Sequence, residues 1–183
     1  MKILLISDIH GNAEALRAVM RAEADADAAV FLGDALLSGP QANETLELLD
    51  ELKPNIAIRG NHDDEVLDPS GFRSWPAEWI ALNDWILADL DASAVAKIER
   101  FSDAGLYEFG GISAYLHHGD LGHRDLAAVP DADEEVFNLL AGGTDAELVL
   151  FGHTHVQFTH KIGSRTFINP GSVGQPRCGV LHA

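Results

Sequence analysis

The chain has 183 residues, 46% hydrophobic and 22% charged, a composition that excludes a largely disordered or fibrous protein. Twelve Lys and Arg against 29 Asp and Glu give a net charge of −17, so the surface should repel nucleic-acid backbones and anionic membranes. A single cysteine, Cys178, excludes a disulfide within the chain and a zinc site built from several thiolates.

Length and hydropathy predict one domain over residues 1–183. The first apolar run, Ile3 to Ile6, is too short for a signal peptide, and no later run approaches the ~18 apolar residues of a membrane span. We therefore expect a cytoplasmic protein with neither a membrane nor a nucleic-acid scaffold as partner.

Short apolar runs bounded by Gly, Asp or Asn predict buried strands along the whole chain. They lie at residues 3–6, 28–32, 55–58, 106–109, 112–118, 148–151 and 166–168. Amphipathic stretches between the first three predict two helices, one capped by Asn12 and one opened by Pro40. This alternation predicts a parallel sheet in the first half, whereas Gly110-Gly111 predicts a hairpin in the second.

Two further segments have helical character. Residues 77–102 predict helix with a break near residues 91–93. The acidic residues Asp131, Asp133, Glu134 and Glu135 predict the start of another helix, because carboxylates favour a helix N-terminus.

Metal-binding residue types follow five of the predicted strands, in segments 7–12, 33–34, 59–63, 117–120 and 152–155. Taken singly, Gly33-Asp34 is more often a turn than a ligand, and Asn61 to Asp63 is equally a helix cap. Because the carboxyl ends of strands form the ligand crevice of an open α/β sheet, all five segments together predict one site.

The donor types indicate the metal. The candidates are Asp8, His10, Asp34, Asn61, one of His117 and His118, His153 and His155. Carboxylate, imidazole and amide donors without thiolate fit Mn²⁺, Fe²⁺, Ni²⁺ or Zn²⁺. Seven donors exceed one tetrahedral site, and two cations sharing a bridging carboxylate, ~3.5–4 Å apart, would use them. The four positive charges of two divalent cations exceed the negative charges of the two carboxylates, so the site would attract an anionic phosphate. The cations would also lower the pKa of bound water toward neutral pH.

These sequence motifs, in this order along the chain, resemble those of the calcineurin-like metallophosphoesterases, especially their small single-domain bacterial and archaeal phosphodiesterases. The motifs are residues 7–12, 33–34, 60–63, 118–119, 152–155 and 169–174, and the matching region runs from residue 3 to residue 177. The resemblance implies an α/β fold, a four-layer α/β/β/α sandwich of two mixed sheets flanked by helices, with a dinuclear metal site at the sheet edge.

The resemblance also implies roles for individual residues. One metal would be held by Asp8, His10, Asp34 and His155, and the other by Asp34, Asn61, His118 and His153, with Asp34 as the bridge. His118 is chosen over His117 because it directly precedes Gly119 and strand alternation places it on the face of Leu116. Mn²⁺ is the expected metal, with Fe, Ni or Zn as alternatives.

His62 is expected near the substrate, where it would stabilise the transition state and protonate the leaving oxygen. Asp63 is expected to orient His62. Trp75 and Trp79 either line a substrate pocket, stacking on a base or aryl group, or pack a helical flap onto the core. His123 and Arg124 either contact phosphate or are solvated.

Residues 169–174 are interpreted as a turn that closes the second sheet. Relatives usually continue into a further strand after Gln175-Pro176-Arg177, whereas this chain ends at Ala183, so a neighbouring subunit could cover a sheet edge in a homo-oligomer.

The expected function is metal-dependent hydrolysis of small phosphodiesters, or of phosphomonoesters, by a metal-activated hydroxide. One alternative is a non-catalytic scaffold with this fold, such as the retromer subunit that resembles this branch. Others are a dinucleoside polyphosphate hydrolase and a protein phosphatase. The complete set of candidate ligands favours catalysis over the scaffold.

Overall fold

Two β-sheets form the centre of the protein in the computed structural model, which describes residues 1–122 and 127–176. The first sheet has three parallel strands, β1 (Ile3–Ile6), β2 (Ala28–Phe31) and β3 (Ile56–Ala57). The second contains β4 (Gly105–Phe109), β5 (Ile112–Leu116), β6 (Leu148–Leu150), β7 (Gln157–Ile162) and β8 (Arg165–Pro170). Its order is β4-β5-β6-β8-β7, with parallel pairs inside and antiparallel hairpins at both edges.

Within residues 1–122 and 127–176, six α-helices surround the sheets. They are α1 (Ala13–Ala22), α2 (Ala42–Leu52), α3 (Asn61–Leu67), α4 (Ala77–Asp89), α5 (Ala94–Ile98) and α6 (Glu134–Leu140), and a 3-10 helix spans Pro69–Phe72. Among the described residues, no helix is both long and apolar enough to cross a membrane.

Three apolar clusters separate the layers. The largest packs α1 to α5 on the outer face of the first sheet, with Leu16, Leu46 and Ile86 fully or almost fully buried. A second fills the space between the sheets, and a third packs Phe137 of α6 on the outer face of the second sheet against Phe167. These layers confirm the expected α/β/β/α sandwich. The first sheet contains only parallel pairs, because its strands are joined by helical crossovers, so the word mixed applies to the second sheet alone.

Local signals located most element ends. The Asn12 side chain caps α1 by accepting a 3.0 Å hydrogen bond from the Ala15 N–H, and α6 begins one residue after Asp133, as predicted. Helix α2 begins at Ala42 rather than Pro40, because the Gln41 N–H is bonded to the Gly11 carbonyl and holds the chain outside the helix.

Strand β7 is absent from the sequence prediction, although its apolar residues alternate with polar ones as a half-buried strand requires. The expectations for His123 and Arg124 lie outside the described residues. So do those for Cys178 and for the C-terminal edge beyond Pro176.

Candidate metal centre

The loops that follow β1, β2, β3, β5 and β6 meet at one edge of the sandwich. Backbone hydrogen bonds join them: the Asp8 N–H donates to the Gly33 carbonyl at 2.9 Å, and the Gly152 N–H donates to the His118 carbonyl at 2.7 Å. The structure thereby brings all seven sequence-predicted ligand candidates into one buried or half-buried cluster.

Asp8, His10 and His155 form the first group of donors, with one ligand atom of each within 4.8 Å of the others. His10 Nε2 lies 3.0 Å from His155 Nε2, and Asp8 Oδ1 lies 3.3 Å from His155 Nε2. Two nitrogens bound to one cation at ~2.1 Å and ~90° would lie ~3.0 Å apart, so the observed separation fits a shared ion.

Asp34, His118 and His153 form the second group. Asp34 Oδ2 lies 3.1 Å from His118 Nε2, and the Asn61 Oδ1 amide oxygen lies 2.9 Å from His153 Nδ1. The same Asp34 oxygen is 3.9 Å from His10 Nε2 in the first group. Asp34 therefore stands between the two groups, where a bridging carboxylate would lie.

Several buried polar atoms of the cluster have no hydrogen-bond partner in the part of the chain that the structure describes. These include Asp8 Oδ1, His118 Nε2 and His10 Nδ1. Unpartnered buried donors and acceptors are unfavourable unless something else satisfies them. Together with the thiol-free donor set, the first two atoms make the cluster a good fit for divalent cations.

The ring orientation of His118 is fixed from behind. Its Nδ1 donates to the Leu32 carbonyl at 2.7 Å, which leaves Nε2 to face Asp34. Burial acts to lower the pKa of His118, but the negative charges of Asp34 and Asp8 outweigh burial and raise this pKa to about 10. In the protein alone, His118 is thus protonated at neutral pH. For His10, burial dominates and lowers the pKa to about 4.

Five of the seven candidates have left-handed backbone conformations, with φ between 49° and 68°: Asp8, His10, Asp34, His153 and His155. Such conformations are unfavourable for residues with a side chain, and they concentrate at functional sites. They turn successive side chains inward where the strands end.

Glycines make room for this packing. A Cβ on Gly60 would overlap Asp34 Oδ1, and one on Gly152 would overlap Ser7 Oγ and approach Asp8 Oδ2 to 2.6 Å. The Gly that precedes Asn61 and the Gly that precedes His153 are therefore steric requirements of the cluster, since the carboxylates occupy the space of a side chain.

His62 is the second residue of α3 and lies beside the first donor group, with its ring edge-on to His10 at 5.1 Å between centroids. Its Nδ1 lies 2.7 Å from Glu65 Oε2, which leaves Nε2 for a second partner. Burial opposes protonation, but Asp34 and the Glu65 hydrogen bond outweigh it and raise the pKa of His62. The His62 backbone N–H donates to Asp34 Oδ1 at 2.9 Å, whereas the carboxylate bonded to the His62 imidazole is Glu65. Sequence reasoning missed Glu65, although the i,i+3 spacing on a helix is a usable signal.

Asp63, which was expected to orient His62, faces away from the imidazole. Its carboxylate accepts hydrogen bonds from the N–H groups of Asp34 at 2.8 Å, Ala35 at 2.9 Å and Gly60 at 2.9 Å. Because it is the third residue of the helix, its side chain turns back onto the loop that precedes the helix. Asp63 fixes the backbone that carries Asp34 and Asn61.

The segment 169–174, which was interpreted as a turn, contains the last two residues of β8 and the loop after it, and it braces the ligand loops. Asn169 Nδ2 donates to the Gly152 carbonyl at 2.7 Å, and Ser172 Oγ donates to the Asp8 carbonyl at 2.7 Å. The Gly174 N–H also donates to Asp8, at 3.0 Å. These bonds join the His153 loop to the Asp8 loop.

His117 points away from the cluster. It stacks between Tyr115 and Phe151, and burial lowers its pKa to about 4. The alternation argument that selected His118 places both histidines correctly.

A match to the calcineurin-like phosphoesterase superfamily domain covers residues 1–181. The chain belongs to this family, which is divalent-metal dependent. It is 28% identical over 191 residues to phosphodiesterase YfcE of Escherichia coli K12, covering 98% of this chain and 83% of that protein.

Two solved structures share the fold. The metallophosphoesterase of Sphaerobacter thermophilus superposes with a TM-score of 0.77 at 28% identity, covering 98% of this chain and 80% of that one. The protein PH1004 of Pyrococcus horikoshii superposes with a TM-score of 0.82 at 17% identity, covering 94% and 77%. Family membership and the similarity to a phosphodiesterase support a phosphoester hydrolase.

Proposed function

We propose that this protein hydrolyses small phosphodiesters, with phosphomonoesters as a second substrate class, at a dinuclear metal centre. The observation that carries the proposal is the convergence of two donor groups on Asp34, with His62 at their edge. The complete donor set favours catalysis over a non-catalytic scaffold of the same fold.

In this proposal Asp8, His10, Asp34 and His155 hold one cation, and Asp34, Asn61, His118 and His153 hold the other. Two bound divalent cations would supply positive charge for the phosphate oxygens and hydroxide at neutral pH. Asp34, placed between the donor groups, fixes their separation.

His62 acts on the leaving group. Its Nδ1 is held by Glu65, so Nε2 is the nitrogen left to present a proton to the substrate. Donation of this proton to the departing oxygen prevents the build-up of an alkoxide charge. Glu65 and Asp63 act as positioning residues, the first through the His62 ring and the second through the backbone of Asp34.

We also propose that Mn²⁺ is the resident metal, that one domain spans residues 1–183 and that the protein is cytoplasmic. Oxygen and nitrogen donors without thiolate support manganese, and the single cysteine fits a reducing compartment.

The test is hydrolysis of bis(p-nitrophenyl) phosphate by chelator-treated protein resupplied with Mn²⁺, Ni²⁺, Fe²⁺ or Zn²⁺. We expect turnover with Mn²⁺ and two ions per chain by elemental analysis. With a phosphodiester that has an alkoxide leaving group, His62→Ala should keep both ions and lose about 10²–10⁴-fold in kcat. Inactivity with all four metals, or a single bound ion, contradicts the proposal.

A further inference from the structure

An open cavity of about 500 Å³ adjoins the His62 imidazole on the side of α4. Its lining consists of Ser38, His62, Ser74, Trp75, Pro76 and Trp79. The Trp75 ring stands edge-on to the His62 ring, with 5.3 Å between centroids and an interplanar angle of 89°. The His62 imidazole and the two indoles therefore form an aromatic part of the cavity wall.

The two tryptophans differ in how they pack. Trp75 is half-buried and packs against the helical core, as the flap interpretation expected. Trp79 is 43% exposed, so much of its indole contributes nothing to the core. A half-exposed indole in a cavity wall offers a flat apolar surface on which a planar ring can stack.

The charges around the site restrict what this cavity can bind. Among the described residues that line it, none is Lys or Arg. A second cavity, of about 340 Å³, lies beside Asn61 and contains Asp64, Asp103 and Asp120. Arg59, also in its wall, is already paired with Asp64 and Asp103. Among their described lining residues, these two cavities offer no unpaired Lys or Arg to a group that carries further phosphates.

We propose that the cavity beside Trp79 holds the substrate's leaving group, and that this group carries an uncharged planar ring, as a nucleoside carries its base or a phenol its aryl ring. The inference rests on the proposed function, because a leaving oxygen that takes its proton from His62 must lie on this side of the site. Ser38 and Ser74 provide polar groups for the ring's edge or for an attached sugar. A dinucleoside polyphosphate is disfavoured, since its leaving group retains phosphate.

The first experiment measures binding without catalysis. Adenosine, p-nitrophenol and ADP are titrated into chelator-treated protein and followed by NMR. We expect Trp79→Ala to weaken binding of both uncharged rings at least about fivefold, and ADP to bind no more tightly than adenosine. Trp85→Ala is the matched control, because Trp85 lies on the same helix, is 53% exposed and is outside the cavity lining. No binding, or equal losses in the two variants, overturns the proposal.

The second experiment assigns the cavity to the leaving group. Bis(p-nitrophenyl) phosphate and methyl p-nitrophenyl phosphate share the nitrophenolate leaving group and differ in the substituent that stays on phosphorus. Trp79→Ala should lower kcat/KM for both esters by the same factor, at least about fivefold, whereas Trp85→Ala should change neither. A loss confined to the bis ester would place the retained group in the cavity and overturn the assignment.

The two experiments separate this inference from the proposed function. Wild-type protein that hydrolyses neither ester contradicts the proposed function and, with it, the leaving-group assignment, while the binding titration still decides whether Trp79 forms an aromatic site. Active protein whose kcat/KM is unaffected by Trp79→Ala contradicts this inference alone.

Discussion

The Asp63 carboxylate accepts a 2.8 Å hydrogen bond from the backbone N–H of Asp34, the residue that lies between the two donor groups. Asp63→Asn would turn an NH₂ group toward one of three N–H donors and leave that donor unsatisfied. We expect a loss of about 1–3 kcal/mol in the free energy of unfolding, measured with urea, and weaker metal binding.

Asp64→Asn is the matched control for Asp63→Asn. Asp64 is the next residue of α3, and its 64% exposed side chain pairs with Arg59. Its replacement should change stability by less than about 1 kcal/mol. Equal effects of the two substitutions would refute the bracing role of Asp63.

Glu65→Gln should change the pH dependence of catalysis. The Glu65 charge helps to raise the pKa of His62, so its removal lowers that pKa. Because His62 must be protonated to act as a general acid, the alkaline limb of kcat should move to lower pH, with little change well below it. Asp64→Asn should leave the alkaline limb of kcat at the same pH. An unchanged profile for Glu65→Gln would contradict the influence of Glu65 on the pKa of His62.

Metal binding should release protons. His118, with its pKa raised to about 10, is protonated at neutral pH and must lose its Nε2 proton to bind a cation. The apparent affinity should therefore rise with pH by about tenfold per unit for each proton displaced. Calorimetry in two buffers of different ionisation enthalpy measures the release, and a heat independent of the buffer would contradict it.

The left-handed backbone at His153, with φ of 68°, predicts that glycine is more stabilising than alanine at this position, the reverse of the order inside a helix. In metal-free protein, His153→Gly should be more stable than His153→Ala by about 1 kcal/mol, because glycine adopts this conformation without strain. The same pair at the exposed helical position Glu47 should give the opposite order by about 1 kcal/mol. Urea unfolding of the four variants decides, and the same order at both positions would argue against strain at His153.

Sequence patterns anticipated the parts of the site that local rules control. Strand ends, the Asn12 cap and the choice of His118 follow from periodicity and turn chemistry, which act within a few residues. The partner of His62 did not follow, because Asp63 and Glu65 are both close in sequence and the helix geometry decides between them. The contacts of Asp63 with Asp34 and Ala35 join residues 28 to 29 positions apart, and only the folded chain defines them.

Each donor group draws on both halves of the polypeptide. His10 comes from the loop after β1 and His155 from the loop after β6, 145 residues later. Asp34 and His118 likewise belong to different sheets. A fragment containing either sheet alone could assemble neither group, so bound ions would act as a cross-link between the sheets. The unfolding temperature of the protein should therefore rise with its metal content.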